Sequence, residues 1–186
     1  MMDIQELINI LPEIVQSTYF SLNPYNPNNS EDNYQELFRE NLTIKFNKRV
    51  ESEITNQKST HDIMGDEICL KNKTERLDLL MKCFSVIFEL KNVEKLDKSH
   101  ENQLLNYMNN SNYNYGILLN FSKSKNLKNC VATYKIYKKD IKITKEDRFG
   151  NFYSMFTFKC IGEHTSENYF DLMGDYIQED NVIQIT

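Results

Sequence analysis

Asp78, Glu89 and Lys91 are the residues whose types and spacing carry chemistry. They lie in the stretch Arg76 to Lys91, RLDLLMKCFSVIFELK. Leu77, Leu79 and Met81 alternate, and Phe84 to Leu90 runs nearly continuously apolar, which predicts a β-hairpin. With the turn centred on Cys83-Phe84, Asp78 and Glu89 fall directly opposite each other, on one face and with Cβ atoms roughly 4.5–5.5 Å apart. Lys91 shares that face, because side chains repeat every second residue along a strand. Two adjacent carboxylates in an apolar hairpin repel and lose hydration, so they call for a cation. Hard oxygen ligands suit Mg²⁺, with Mn²⁺ the other candidate, and an ammonium beside them can position a water. Asp78 and Glu89, with the Leu90 carbonyl, are the expected metal ligands, and Lys91 the expected catalytic group.

The elements around this hairpin must deliver its partners. Ser30 is a plausible N-cap of a helix whose apolar positions, Tyr34, Leu37, Phe38 and Leu42, define a buried face. Glu31 falls on that face and Glu36 points away, roughly 200° round from Tyr34 at about 100° per residue. Glu31 is therefore the candidate carboxylate of this helix and Glu36 its rival. After Lys91 a helix capped by Asp97 or Ser99 carries His100, Gln103, Leu104, Tyr107 and Met108 on one face. Burying an amide without partners costs roughly 1–3 kcal/mol. Gln103 and Tyr107 are accordingly expected to hydrogen-bond at the site edge, with His100 a weaker candidate.

Asp78 followed by Glu89-Leu90-Lys91 resembles the D…ExK signature of PD-(D/E)XK nucleases. Downstream, His100-Glu101-Asn102-Gln103-Leu104-Leu105-Asn106-Tyr107 resembles the H-x-x-Q-L-L-x-Y helix of the GxxExxY proteins in that superfamily. Gly116-Ile117-Leu118-Leu119-Asn120-Phe121 is similar to the G-L-L-I-N-F strand that follows it. Asn28, Glu31 and Tyr34 fit the G-x-x-E-x-x-Y spacing with Asn in place of Gly. The resemblance implies an α/β, restriction-endonuclease-like fold: a central mixed β-sheet flanked by α-helices. It also implies Mg²⁺-dependent hydrolysis of phosphodiesters, with nucleic acid as partner and DNA favoured over RNA. The rival reading is a catalytically silent scaffold of the same fold that binds nucleic acid or a protein.

Phosphate contacts are expected from Lys95 and Lys98 before the site helix and from Lys123 and Lys125 after the strand Tyr115 to Phe121. Lys128, Lys135, Lys138 and Lys139 extend this group. No groove-reading motif accompanies them, so such contacts would mainly position the backbone.

The 186 residues suffice for one core. Residues 1–139 are read as the nuclease-like core and 140–186 as a C-terminal α+β extension, a hairpin plus a helix from Glu163 to Gln178, packed on the same domain. A net charge of −5 argues against indiscriminate wrapping of nucleic acid, though not against a local basic groove. Cys69, Cys83, Cys130 and Cys160 show no metal-ligand spacing and are expected as reduced, mostly buried thiols. No apolar run approaches the ~20 residues that span a bilayer, and acids at the start oppose a signal peptide. The expectation is an intracellular protein with no membrane partner, its oligomer state open.

Elsewhere, Asp3 to Phe20 predicts an amphipathic helix interrupted by Pro12. Thr43 to Leu70 has a poor pattern in which Glu51 and Glu53 look like solvated strand residues and His61 lacks a partner. Asp62 to Leu70 is a candidate strand against Arg76 to Met81.

Overall fold

The computed structural model describes residues 2–22, 24, 26, 28–54, 67–70, 73–76, 78–123 and 130–166. Two helices come first, α1 (Ile4–Ser21) and α2 (Glu31–Ile54), and β1 (Glu67–Leu70) pairs with β2 (Lys73–Arg76) as a separate ribbon. The main sheet holds β3 (Leu79–Met81), β4 (Val86–Lys91), β5 (Tyr115–Phe121), β6 (Ala132–Glu146) and β7 (Phe152–Thr165) in that spatial order. α3 (Lys98–Asn109) joins β4 to β5. The β4–β5 pair is parallel and every other pair antiparallel, so α3 is the crossover that a parallel pair requires.

The strands sort their side chains by parity. Leu79, Met81, Val86, Phe88, Leu90, Ile117, Leu119 and Phe121 pack with α1 and α2, while Leu80, Ile87, Leu118 and Tyr137 pack with Leu104, Tyr107 and Met108 of α3. The result is a mixed sheet with α1 and α2 on one face and α3 on the other, a restriction-endonuclease-like α/β fold. Gly116 sets how closely α3 lies. A Cβ there would overlap Met108 Sδ and meet Leu104 Cδ1 at 3.0 Å.

Several elements differ from the sequence reading. α1 is one helix through Pro12, capped by Asp3, whose carboxylate accepts from Gln5 N–H. α2 continues to Ile54 instead of giving way to a strand, so Glu51 and Glu53 are helical. The stripe Tyr34, Phe38, Leu42, Phe46 steps by four and stays buried, while Ile44 faces out. β1 pairs with β2, and Leu79–Met81 pairs with β4 instead. Glu163 to Thr165 belong to β7, not to a helix. Residues 167–178 of that expected helix and His61 lie outside the described residues. Cys83 and Cys160 are exposed, against the expectation of mostly buried thiols, and Cys130 is buried. No helix among the described residues is long and apolar enough to cross a membrane.

Candidate active site

The β3–β4 hairpin turns through a short 3₁₀ segment, Lys82–Phe84, with Ser85 in the left-handed region at φ 57°. Its register pairs Leu79 with Phe88, Leu80 with Ile87 and Met81 with Val86. Continued by one residue, that register sets Asp78 opposite Glu89. By strand parity Asp78, Glu89 and Lys91 all fall on the α3 face of the sheet. Asp78 Oδ2 accepts from Leu90 N–H at 2.6 Å, which ties the Asp78 carboxylate to the backbone between Glu89 and Lys91.

Glu89 is completely buried. Lys91 Nζ donates to its Oε1 at 2.5 Å, while Oε2 is buried with no hydrogen-bond partner among the described residues. Burial pushes the Glu89 carboxyl up from its usual 4.5 to about 8; the charges of Asp78 and Glu31 add to the rise, and Lys91 opposes it. Lys91 responds in the other direction. Burial works against its charge, but the carboxylates of Glu89, Glu31 and Asp78 together hold its pKa above the ordinary lysine value.

Glu31 reaches this cluster from the first turn of α2, its Oε1 3.7 Å from Lys91 Nζ. Two local features put it there. Ser30 caps α2 reciprocally: Asn33 N–H donates to Ser30 Oγ, and Ser30 N–H to Asn33 Oδ1. Three residues after Glu31, the Tyr34 ring stacks on Phe121 with centroids 4.7 Å apart, and Phe121 follows Asn120, the β5 partner of Lys91. Glu36 is exposed on the far side of the helix.

Two positioning residues escaped the sequence reading. Gln35 Nε2 donates to the Asp78 carbonyl at 2.6 Å, one helical turn beyond Glu31. Buried Asn120 brackets Val93, accepting from its N–H and donating to its C=O, both at 3.0 Å. That bracket fixes the chain just beyond Lys91. The i+4 spacing from Glu31 and an amide within an apolar strand were the signals available.

α3 is capped by Asp97, whose carboxylate accepts from Ser99 and His100 N–H. His100 Nδ1 accepts from Asp97 N–H at 3.1 Å and so completes the cap. Among the described residues Gln103 bonds to Tyr107, Nε2 donating to the hydroxyl at 3.0 Å, and Tyr107 is buried against the sheet. The ion pairs of Lys91 run to Glu89 and Glu31. Lys95 and Lys98 are exposed. Lys123 Nζ donates to the Asn29 carbonyl at 3.4 Å, linking the end of β5 to the start of α2. Lys125 lies outside the described residues.

Among the described residues no three His, Cys, Asp or Glu side chains converge as a metal cage. The donor set nevertheless fits a divalent cation: two carboxylates share one face, and one of them holds a buried oxygen that no described residue satisfies. A mixed sheet whose parallel centre carries an acid–acid–lysine hairpin defines a restriction-endonuclease-like protein. The family model of the PD-(D/E)XK nuclease superfamily matches residues 10–132, and the chain belongs to that superfamily, whose nucleases generally use divalent metals. No curated protein and no solved structure matches the chain.

Proposed function

We propose that this protein is a metal-dependent nuclease hydrolysing phosphodiester bonds of nucleic acid, DNA ahead of RNA, through Asp78, Glu89 and Lys91. The observation that carries the reading is Glu89: wholly buried, unsatisfied at Oε2 and flanked by Asp78 and Lys91. A buried carboxylate with one oxygen unsatisfied is costly even when a lysine pairs with the other, and a structural role would be served by an apolar residue at no such cost.

Asp78 and Glu89, with the Leu90 carbonyl, would hold Mg²⁺ or Mn²⁺. Such a cation, when bound, polarises a phosphoryl oxygen and lowers the pKa of water. Lys91 orients the attacking water and stabilises the charge that develops on the phosphate. Glu31, 3.7 Å from the Lys91 ammonium, adds a second carboxylate that helps hold its charge. Gln103 and Tyr107 form a polar edge on α3, and Lys95, Lys98, Lys123 and Lys125 steer phosphates toward the centre. The Glu31 to Tyr34 spacing and the α3 pattern support a place among the GxxExxY proteins.

The test is incubation with labelled single- and double-stranded DNA and RNA in Mg²⁺ and in Mn²⁺, with Lys91→Ala as control, alongside thermal melts in Mn²⁺. Cleavage lost in Lys91→Ala, with Mn²⁺ stabilisation lost in Asp78→Asn, is the expected result. No cleavage and no thermal shift at millimolar metal would favour the silent scaffold instead.

A further inference from the structure

β6 pairs with β5 only from Ala132 to Lys138, yet it continues to Glu146, and β7 pairs with it from Thr133 to Glu146 with irregularities between Ile136 and Tyr137 and between Lys139 and Lys142. Past Lys138 the two strands therefore form a ribbon of their own. It leaves the sheet at the end opposite Lys91, where β5 begins.

The surface of the ribbon combines exposed apolar side chains with positive charge. Ile141, Phe149 and Phe152 are 64%, 74% and 72% exposed. Lys138, Lys139, Lys142, Lys145, Arg148 and Lys159 face only Asp140, Glu146 and Asp147, so the ribbon is net positive in a chain of net charge −5. Lys142 shares one face with Phe152 and Phe156, and Lys145 lies on the other with Ile143 and Met155. Arg148 stacks over the Phe149 ring at 4.8 Å.

The tip is built, not slack. Asp147 accepts from Phe149 N–H, Asn151 N–H and the Asn151 amide, and Gly150 takes φ 81°. These bonds, the Asn151 side chain first, hold the Asp147 carboxyl below its ordinary range. The base is anchored as well: Lys139 Nζ donates to the Ser111 carbonyl at 2.6 Å, and Phe156 N–H to Asn109 Oδ1 at 3.0 Å, both just beyond or within the last turn of α3.

We propose that this ribbon is a duplex-DNA arm that enters the major groove about one helical turn from the cleavage centre. A two-stranded β-ribbon fits the B-form major groove, roughly 12 Å wide, with phosphates on both sides for cations on both faces. The exposed apolar side chains suit thymine methyl groups there. A-form RNA, whose major groove is deep and narrow, does not admit it. Glu89 aligns with Leu118 and then Lys135 across the sheet. From Lys135 to Glu146 the strand covers roughly 35 Å at about 3.3 Å per residue, close to the ~34 Å of one duplex turn.

This inference deepens the nuclease reading and rests on it for orientation, but its test separates the two. Fluorescence anisotropy in EDTA would compare wild type with Lys142→Gln/Lys145→Gln/Arg148→Gln and with Phe149→Ala/Phe152→Ala. The probes are a 30-bp DNA duplex, the RNA duplex of the same sequence and an 8-bp DNA duplex. The charge variant should bind the long DNA about 10²-fold more weakly at 0.1 M salt, its salt slope reduced by up to about three. The aromatic variant should weaken binding with an unchanged slope, melting as wild type does. In Mg²⁺, cleavage of the 8-bp duplex should be the same in all three proteins, while the 30-bp duplex loses rate only in the variants. Unaltered affinity for long DNA, equal loss on RNA, or a dimer that the variants convert to monomer would each overturn the proposal. Absence of any metal-dependent cleavage, with ribbon-dependent binding retained, would instead remove the nuclease reading and leave the arm.

Discussion

The Asp78 carboxylate accepts a hydrogen bond from the backbone N–H of Leu90 at 2.6 Å, so the acid of one strand is fixed to the residue between the acid and the lysine of the other. This bond makes the open end of the hairpin a single unit. Moving Asp78 therefore moves the frame that carries Glu89 and Lys91.

Stability without divalent metal should depend on pH through Glu89. Its carboxyl stands at about 8 in the folded protein against a usual 4.5. A group whose pKa rises on folding contributes stability that is fully present below the unfolded value and lost as pH climbs through the folded one. The melting temperature should fall between about pH 5 and pH 8, and Glu89→Gln should flatten that slope. Lys91, also raised, titrates above this window. Because bound metal favours the ionised acid, Mn²⁺ should stabilise the protein more at pH 8 than at pH 5. A melting temperature independent of pH in metal-free wild type would contradict the burial argument.

Lys91→Ala should lower turnover by roughly 10²–10⁴ with little change in substrate affinity. The ammonium is held by Glu89 and Glu31, not aimed at solvent, which suits a group acting at the reacting phosphate. Mn²⁺ should still raise the melting temperature of the variant, since lysine is not expected to be a ligand. Wild-type turnover would remove Lys91 from the chemistry.

Glu31→Gln should reduce metal-dependent cleavage by up to about fivefold, the scale of a lost, partly exposed ion pair of about 1 kcal/mol. Glu36→Gln should leave it unchanged, because Glu36 faces solvent while Glu31 faces Lys91. Steady-state rates of the two variants, measured side by side, decide this.

Asn120→Ala should lower both stability and turnover. It strips both backbone partners from Val93, a change worth about 1–3 kcal/mol, or roughly 2–4 °C of melting temperature for each kcal/mol. It also frees the chain just after Lys91, so kcat should fall while KM holds. Asn120→Asp, which keeps one of the two bonds, should fall between. A loss of stability with unaltered kcat would make Asn120 a support for the loop alone.

The hairpin, the α3 crossover and the layered sheet were legible because apolar alternation and turn position act locally. The Cys83-Phe84 centre alone fixes which residue faces Glu89. The full length of α2 was harder to read, because beyond Leu42 its buried stripe narrows to Phe46 against a polar background. His100 read as a site candidate from its helix face, yet its ring closes the Asp97 cap, a choice set by three residues of backbone geometry. Gln35 and Asn120 act on carbonyls and amides distant in sequence, and no periodicity announces such partners. The hairpin expected within residues 140–186 begins on the outward half of β6, from Asp140 to Glu146, which is mostly exposed and carries no apolar run to mark it as a continuation of the core strand.

Asp78, Glu89 and Lys91 come from one short stretch, while Glu31 and Gln35 arrive from a helix far earlier in the chain. Hairpins close within about 1–10 μs, whereas contacts distant in sequence wait for the larger topology. The two opposed acids therefore meet early in folding, before α2 has docked to brace them. Lys91, on the same short stretch, is the counter-charge already at hand when they do. A refolding chain is thus expected to bring its opposed acids together first and to acquire the helix that steadies them afterwards.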